Sequence, residues 1–147
     1  MSNKQGWNKT LRGMPAVGAR AARSRKITRK DIELFTELTG DHNPLHYDEK
    51  LAKASVFGGL IVQGGVTSGI LNAVVAEDIP GPGTVFLGME LKFSKGVYVG
   101  DEITGEVSVK SVREDKPICT LDVAVRNQHG DICLNGTATT YTVPLKP

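Results

Sequence analysis

Cysteine is scarce: Cys119 and Cys133 are the only two in 147 residues, too far apart for a CxxC redox or zinc pair, and no secretory signal precedes them. A disulfide-stapled scaffold is thereby excluded, a reducing intracellular setting fits, and on core strands both thiols read as small hydrophobes. Long hydrophobic runs are also missing. The most apolar stretch, 58–76, is broken by glycines and by Gln63, Thr67, Ser68 and Asn72, so it reads as a buried helix and no membrane is expected as a partner. Acidic residues are absent from residues 1–30, which hold nine of the 18 Lys and Arg; the rest carries nine basic against 16 acidic residues, a net of −7. Such an arm could be a mitochondrial targeting segment, a nucleic-acid arm, or a partly solvated tail whose charge lies near an anionic ligand. Aromatics are few, and only Trp7 interleaves with that charge, so no nucleic-acid partner is expected. What is there is a soluble composition, 39% hydrophobic and 23% charged, on a chain long enough to bury a core unaided. The expected organisation is an irregular basic arm over 1–17 and one domain over 18–147.

Periodicity orders that domain. A first strand is expected over 19–26. Thr28 has the look of a helix N-cap, with Asp31 three residues on, then Ile32, Phe35 and Leu38 on one face and Gly40 as the stop. A short helix is expected over 48–54, and a longer one from Gln63 to Glu77. In the longer helix Val66, Ile70 and Val74 make an apolar face, and Gly64, Gly65, Ser68, Gly69 and Ala73 are small enough for a sheet to approach. After Pro80-Gly81-Pro82-Gly83 the period changes to two: Val85, Leu87, Met89, Leu91 and Phe93, then Ile103, Val107 and Val109, then Cys119, Leu121, Val123 and Val125, then a last strand ending near Val143. Helices followed by a four-strand antiparallel meander predict an α+β protein whose sheet wraps a long central helix, the hot-dog fold.

One segment carries chemistry. The helix stop delivers the chain into Asp41-His42-Asn43-Pro44-Leu45-His46, where a proline-enforced turn can bring the Asp41 and His46 side chains to one point. At neutral pH an ordinary aspartate is ionised and an ordinary histidine mostly neutral, a pair able to polarise one water as general base and return a proton as general acid. The same spacing is also that of a plain Asx turn with a solvated histidine. Asn43 either orients one of the pair or caps the turn. His42 reads as a solvated loop residue and His129 lies in a hairpin turn, so no third ligand stands at metal spacing and neither a metal nor another cofactor is expected. The second element is Gln63-Gly64-Gly65, where the long helix begins: its unpaired N–H groups can stabilise an enolate-like oxygen, and a glycine lets a carbonyl come close.

Residues 39–46, Thr-Gly-Asp-His-Asn-Pro-Leu-His, resemble the MaoC-like hydratase signature [S/T]-G-D-x-N-P-[L/V/I]-H, and the likeness extends from about Val17 to Pro144. It implies an (R)-specific enoyl-CoA hydratase: a hydro-lyase with Asp41 and His46 as the catalytic pair, the Gly64 amide as oxyanion donor, and an acyl-CoA thioester as substrate. Asn43, Gln63, Gly65 and Asn72 would contact that substrate. Gln63 stands where the family commonly has His, and Asn72 where some members have a Ser that shapes the acyl site, which points to short or polar acyl groups. The resemblance also implies a homodimer, or a dimer-based higher oligomer, with joined sheets and the site near the subunit interface. A cytoplasmic enzyme is expected, or one of the mitochondrial matrix if the arm is a targeting segment. The alternatives are a dehydratase for a different acyl thioester, on CoA or acyl carrier protein, and a non-catalytic hot-dog module that binds acyl thioesters.

Overall fold

The computed structural model describes residues 4–147. Its chain runs β1 (Arg20–Lys26), α1 (Arg29–Thr39), α2 (Pro44–Tyr47), α3 (Glu49–Ala54), α4 (Gly64–Ala73), then β2 (Thr84–Phe93), β3 (Glu102–Val112), β4 (Ile118–Arg126) and β5 (Ile132–Thr142). Helix α1 starts and stops where its signals lie. Thr28 and Asp31 form a reciprocal capping box, and Gly40 takes the left-handed conformation, φ 81°, that closes the last turn at little steric cost. Two features escaped the sequence. Asn43-Pro44 opens a short helical turn, α2, in which the Asn43 side chain accepts from Leu45 N, so His46 sits on a helix and not in a bare loop. Beyond Ala73, α4 continues as a wider π-helical turn, Val74–Asp78, with Ile79 N donating to the carbonyl five residues back at 2.9 Å.

The five strands form one antiparallel sheet in the order β1-β3-β4-β5-β2. The expected four-strand meander therefore holds only for β3, β4 and β5, and β2 crosses to the far edge to pair with β5. Of its apolar alternation, only Leu91 packs on the core. Val85, Leu87, Met89 and Phe93 are exposed, and a register shift between Phe86 and Gly88 turns Phe86 onto the core instead. The other edge, β1, presents Arg20, Arg23, Arg25 and Lys26, charges of the kind that keep an exposed strand from pairing with another chain.

One face of the sheet holds the core: Ile103, Val107, Val109, Leu121, Val123, Val125, Leu134 and Ala138 pack on Ile70, Leu71, Val74 and Val75. Burying each of the Val, Leu and Ile side chains favours folding by about 1.5–3 kcal/mol. The close approach is made from both sides: a Cβ at Gly105 of β3 would stand 2.7 Å from Ile70 Cγ2, and one at Gly64 of α4 would stand 3.2 Å from the Phe93 ring of β2. On α4, Gly64 and Gly69 are exposed, while Gly65 meets the Phe35 ring of α1. The N-terminal arm also differs from a solvated tail. Gly6 N donates to Glu114 O at 3.0 Å, buried Trp7 donates from Nε1 to Arg113 O at 2.7 Å, and Thr10 is buried beneath it. Among the described residues no helix is long and apolar enough to cross a membrane.

Candidate active site

Asp41 follows the left-handed Gly40, and its loop constrains the carboxylate. Asp41 N donates to Thr39 Oγ1 at 3.2 Å, and Asn43 N donates to Asp41 Oδ1 at 3.0 Å. One carboxylate oxygen is thus engaged by the backbone. The other, Oδ2, lies 3.7 Å from Nε2 of His46. Only 6% of His46 is exposed, and its Nδ1 is 2.7 Å from the carbonyl oxygen of Ile61. A carbonyl can only accept, so Nδ1 carries the hydrogen, and in the neutral ring Nε2 presents a lone pair toward Asp41. Two acceptors at this separation do not bond to each other, but one water can donate a hydrogen to each.

Gly64 is the first residue of α4, where the backbone N–H has no intrahelical acceptor. A cleft of about 430 Å³ opens beside it, lined by Phe57, Ile61, Val62, Gly64, Thr67 and Phe93, with Ser94 to Val97 completing its wall. Its surface is largely aliphatic and aromatic, as an acyl chain requires. Asp41 and His46 do not line it themselves, but Ile61, whose carbonyl holds the imidazole, does. Lys95 is the cation in that wall; its ammonium lies 2.6 Å from Asp131 Oδ2, and the carboxylate holds its pKa above the usual lysine value.

Gln63, the residue before Gly64, is 1% exposed. Its Nε2 donates to Ile32 O and to Thr36 Oγ1, both at 3.1 Å, while its Oε1 is buried with no hydrogen-bond partner. Its side chain therefore faces α1, and not the cleft. Gly65 packs on Phe35, Asn43 caps α2, and Asn72 is exposed and absent from the cleft wall, so the structure does not gather these three around the opening. His42 is exposed with its ring 5.5 Å from that of Tyr47, and among the described residues no group of three His, Cys, Asp or Glu side chains could hold a metal ion. Sequence reasoning missed Thr36 and Tyr47, whose hydroxyls meet in a short hydrogen bond beside the Asp41 loop. The available signal was a polar residue on the inward stripe of α1, four residues after Ile32.

Fold and site together define a hot-dog protein with an acid–imidazole pair and, beside a largely apolar cleft, a free helix-start amide. The chain belongs to the MaoC-like family: a family model described as MaoC like domain matches residues 14–131. It is 37% identical over 122 residues to an (R)-specific enoyl-CoA hydratase of Aeromonas caviae, covering 83% of this chain and 91% of that one. It is 32% identical to a 3-hydroxybutyryl-CoA dehydratase of Methylorubrum extorquens, with 83% and 77% covered. The solved structure of the (R)-hydratase from A. caviae superposes with a TM-score of 0.83 at 35% identity, covering 88% of this chain and 98% of that chain.

Proposed function

We propose that this protein is an (R)-specific enoyl-CoA hydratase, a hydro-lyase that adds water reversibly to a 2-enoyl-CoA to give the (R)-3-hydroxyacyl-CoA. One observation carries the reading: the Nδ1 of His46 is committed to the Ile61 carbonyl, leaving an Nε2 lone pair that faces the free oxygen of Asp41 across 3.7 Å. A water held between them is stripped of a proton by the Asp41 carboxylate as its oxygen bonds to C3. The C2=C3 electron pair moves toward the thioester, whose oxygen becomes enolate-like and accepts from the Gly64 N–H at the positive end of α4. Asp41 then returns the proton to C2. Water is thus divided between C3 and C2, and the same steps in reverse dehydrate the hydroxyacyl thioester. The (R) outcome and the CoA carrier are taken from the hydratase relatives.

The reading includes a homodimer joined through β2. That strand is an unpaired edge bearing exposed Val85, Leu87, Met89 and Phe93, and Phe93 also lines the cleft, so a second copy there would adjoin the site. It also places the enzyme in the cytoplasm. The packing of Trp7 and Thr10 into the fold favours this over removal of the arm on import. The test is direct: purified protein incubated with short 2-enoyl-CoA substrates should abolish the absorbance of the conjugated thioester. Absence of turnover at every chain length would overturn the reading.

A further inference from the structure

We infer that Thr36 is a positioning residue, a single hydroxyl that ties together the three chain segments supplying the carboxylate, the imidazole and the oxyanion amide. The inference rests on the site assignment above. The hydroxyl has one proton and two lone pairs. Its proton goes to the carbonyl of Asp41, at 2.8 Å, because a carbonyl can only accept. Both remaining partners must then donate to it. Gln63 does so through Nε2 at 3.1 Å, and the phenol of Tyr47 does so through its short bond.

The orientation of the Gln63 amide follows independently. Nε2 also meets the carbonyl of Ile32 at 3.1 Å, and flipping the amide would set two acceptors face to face. That orientation leaves the buried Oε1 without a donor, so the amide is held for what its nitrogen reaches, at the expense of its oxygen. The three partners are not arbitrary. One is the backbone of Asp41 itself, one is the residue after His46, and one is the residue before Gly64. Thr36 is buried on the last turns of α1, whose carbonyl at the same residue also receives Gly40 N at 2.7 Å, so the hub is anchored to the helix that delivers the Asp41 loop. Positioning of this kind acts on the transition state, where small displacements of the base or the oxyanion donor are costly.

The experiment compares Thr36→Val, which keeps the shape and removes the hydroxyl, with Thr36→Ser, which keeps the hydroxyl, and with Tyr47→Phe alone and combined with Thr36→Val. Hydration kinetics on a short 2-enoyl-CoA should show kcat for Thr36→Val down at least tenfold with KM within about threefold, and Thr36→Ser within threefold of the parent. Tyr47→Phe should lower kcat severalfold in the parent and change nothing further in Thr36→Val, because its one acceptor is already gone. Thr36→Val with parental kcat, or additive losses in the double variant, overturns the inference. Should Thr36→Val not fold, Tyr47→Phe and Gln63→Met each remove one strand of the hub while keeping bulk: severalfold lower kcat at unchanged KM in both supports it, and parental kcat in both overturns it. If the parent itself hydrates no enoyl-CoA, the functional reading fails, and the hub is judged on amide resonances instead. Those of His46 and Gly64 should move together in Thr36→Val or Tyr47→Phe and stay in Thr36→Ser; unmoved resonances overturn the hub.

Discussion

The Nε2 atom of His46 stands 3.7 Å from Oδ2 of Asp41, too far for a direct hydrogen bond and suited to one shared water. Asp41→Asn keeps the shape and the Oδ1 that accepts from Asn43 N, but a neutral amide cannot take the water's proton. The expected loss in kcat is about 10²–10⁴-fold, the usual worth of a positioned general base, with KM little changed. Steady-state hydration of a short 2-enoyl-CoA measures it, and a variant with full activity would remove Asp41 from the role of base.

Gly136 on β5 faces the backbone of β2, and a Cβ there would collide with the carbonyl of Glu90. Backbone cannot swing aside as a side chain can. Gly136→Ala should therefore loosen β2 from the sheet and cost about 1–3 kcal/mol, the scale of forced overpacking. The urea midpoint reads the loss. Unchanged stability would mean that the two strands part more easily than their register implies.

Much of this was legible before any coordinates. The capping pair Thr28 and Asp31, the stop at Gly40 and the strands around Ile103, Leu121 and Leu134 follow from local chemistry and period, which act over a few residues. The misreadings were long-range. Alternation in 85–93 was visible, but which neighbour β2 pairs with, and so which of its faces the core covers, depends on β5, over 40 residues away. Asn72 illustrates the same limit at the site, since its place in a family pattern does not determine which side of α4 it occupies in this chain. Gln63 was noticed as a departure, yet its partners on α1 lie 27 and 31 residues back and leave no local trace.

Three surface carboxylates are held below the usual aspartate range, each chiefly by hydrogen bonds from a cation: Asp78 by Arg23, Asp115 by Arg113 and Asp131 by Lys95. A folded-state pKa below the unfolded one means the stabilisation is complete above the unfolded value, 3.8, and is lost as pH falls through the depressed one. Stability should therefore decline most steeply below about pH 4. In Asp78→Asn the acid decline should be shallower, with a small difference from the parent that is constant at neutral pH and shrinks in high salt. Urea midpoints across pH 2.5–7 (about this range brackets the carboxylates) test it, and parallel curves for variant and parent would show that the Arg23 pair contributes nothing.

Burial raises the thiol pKa of both Cys119 and Cys133, so the reactive thiolate is suppressed at neutral pH. Ellman's reagent should label neither thiol in the native protein and both after unfolding in guanidinium. Rapid labelling of the native fold would show that β4 or β5 opens on the timescale of the assay.

The strongest structural sign of a partner is the contrast between the two sheet edges: β1 carries Arg20, Arg23, Arg25 and Lys26, whereas β2 exposes Val85, Leu87, Met89 and Phe93. Charge at an edge opposes strand addition, and an apolar, unpaired edge invites it. If two copies join through β2, the interface is isologous, so one substitution is felt twice. Met89→Lys places a positive charge in each copy of the joint, while in the isolated chain Met89 is exposed and the substitution leaves the fold intact. Sedimentation should give the parent twice its chain mass of 15.8 kDa, and the variant the single-chain mass at micromolar concentration. Because Phe93 belongs to both β2 and the cleft, the monomeric variant should also bind enoyl-CoA more weakly, seen as a raised KM. A variant that stays dimeric would move the interface away from β2, and a monomeric variant with parental KM would separate the cleft from the subunit contact.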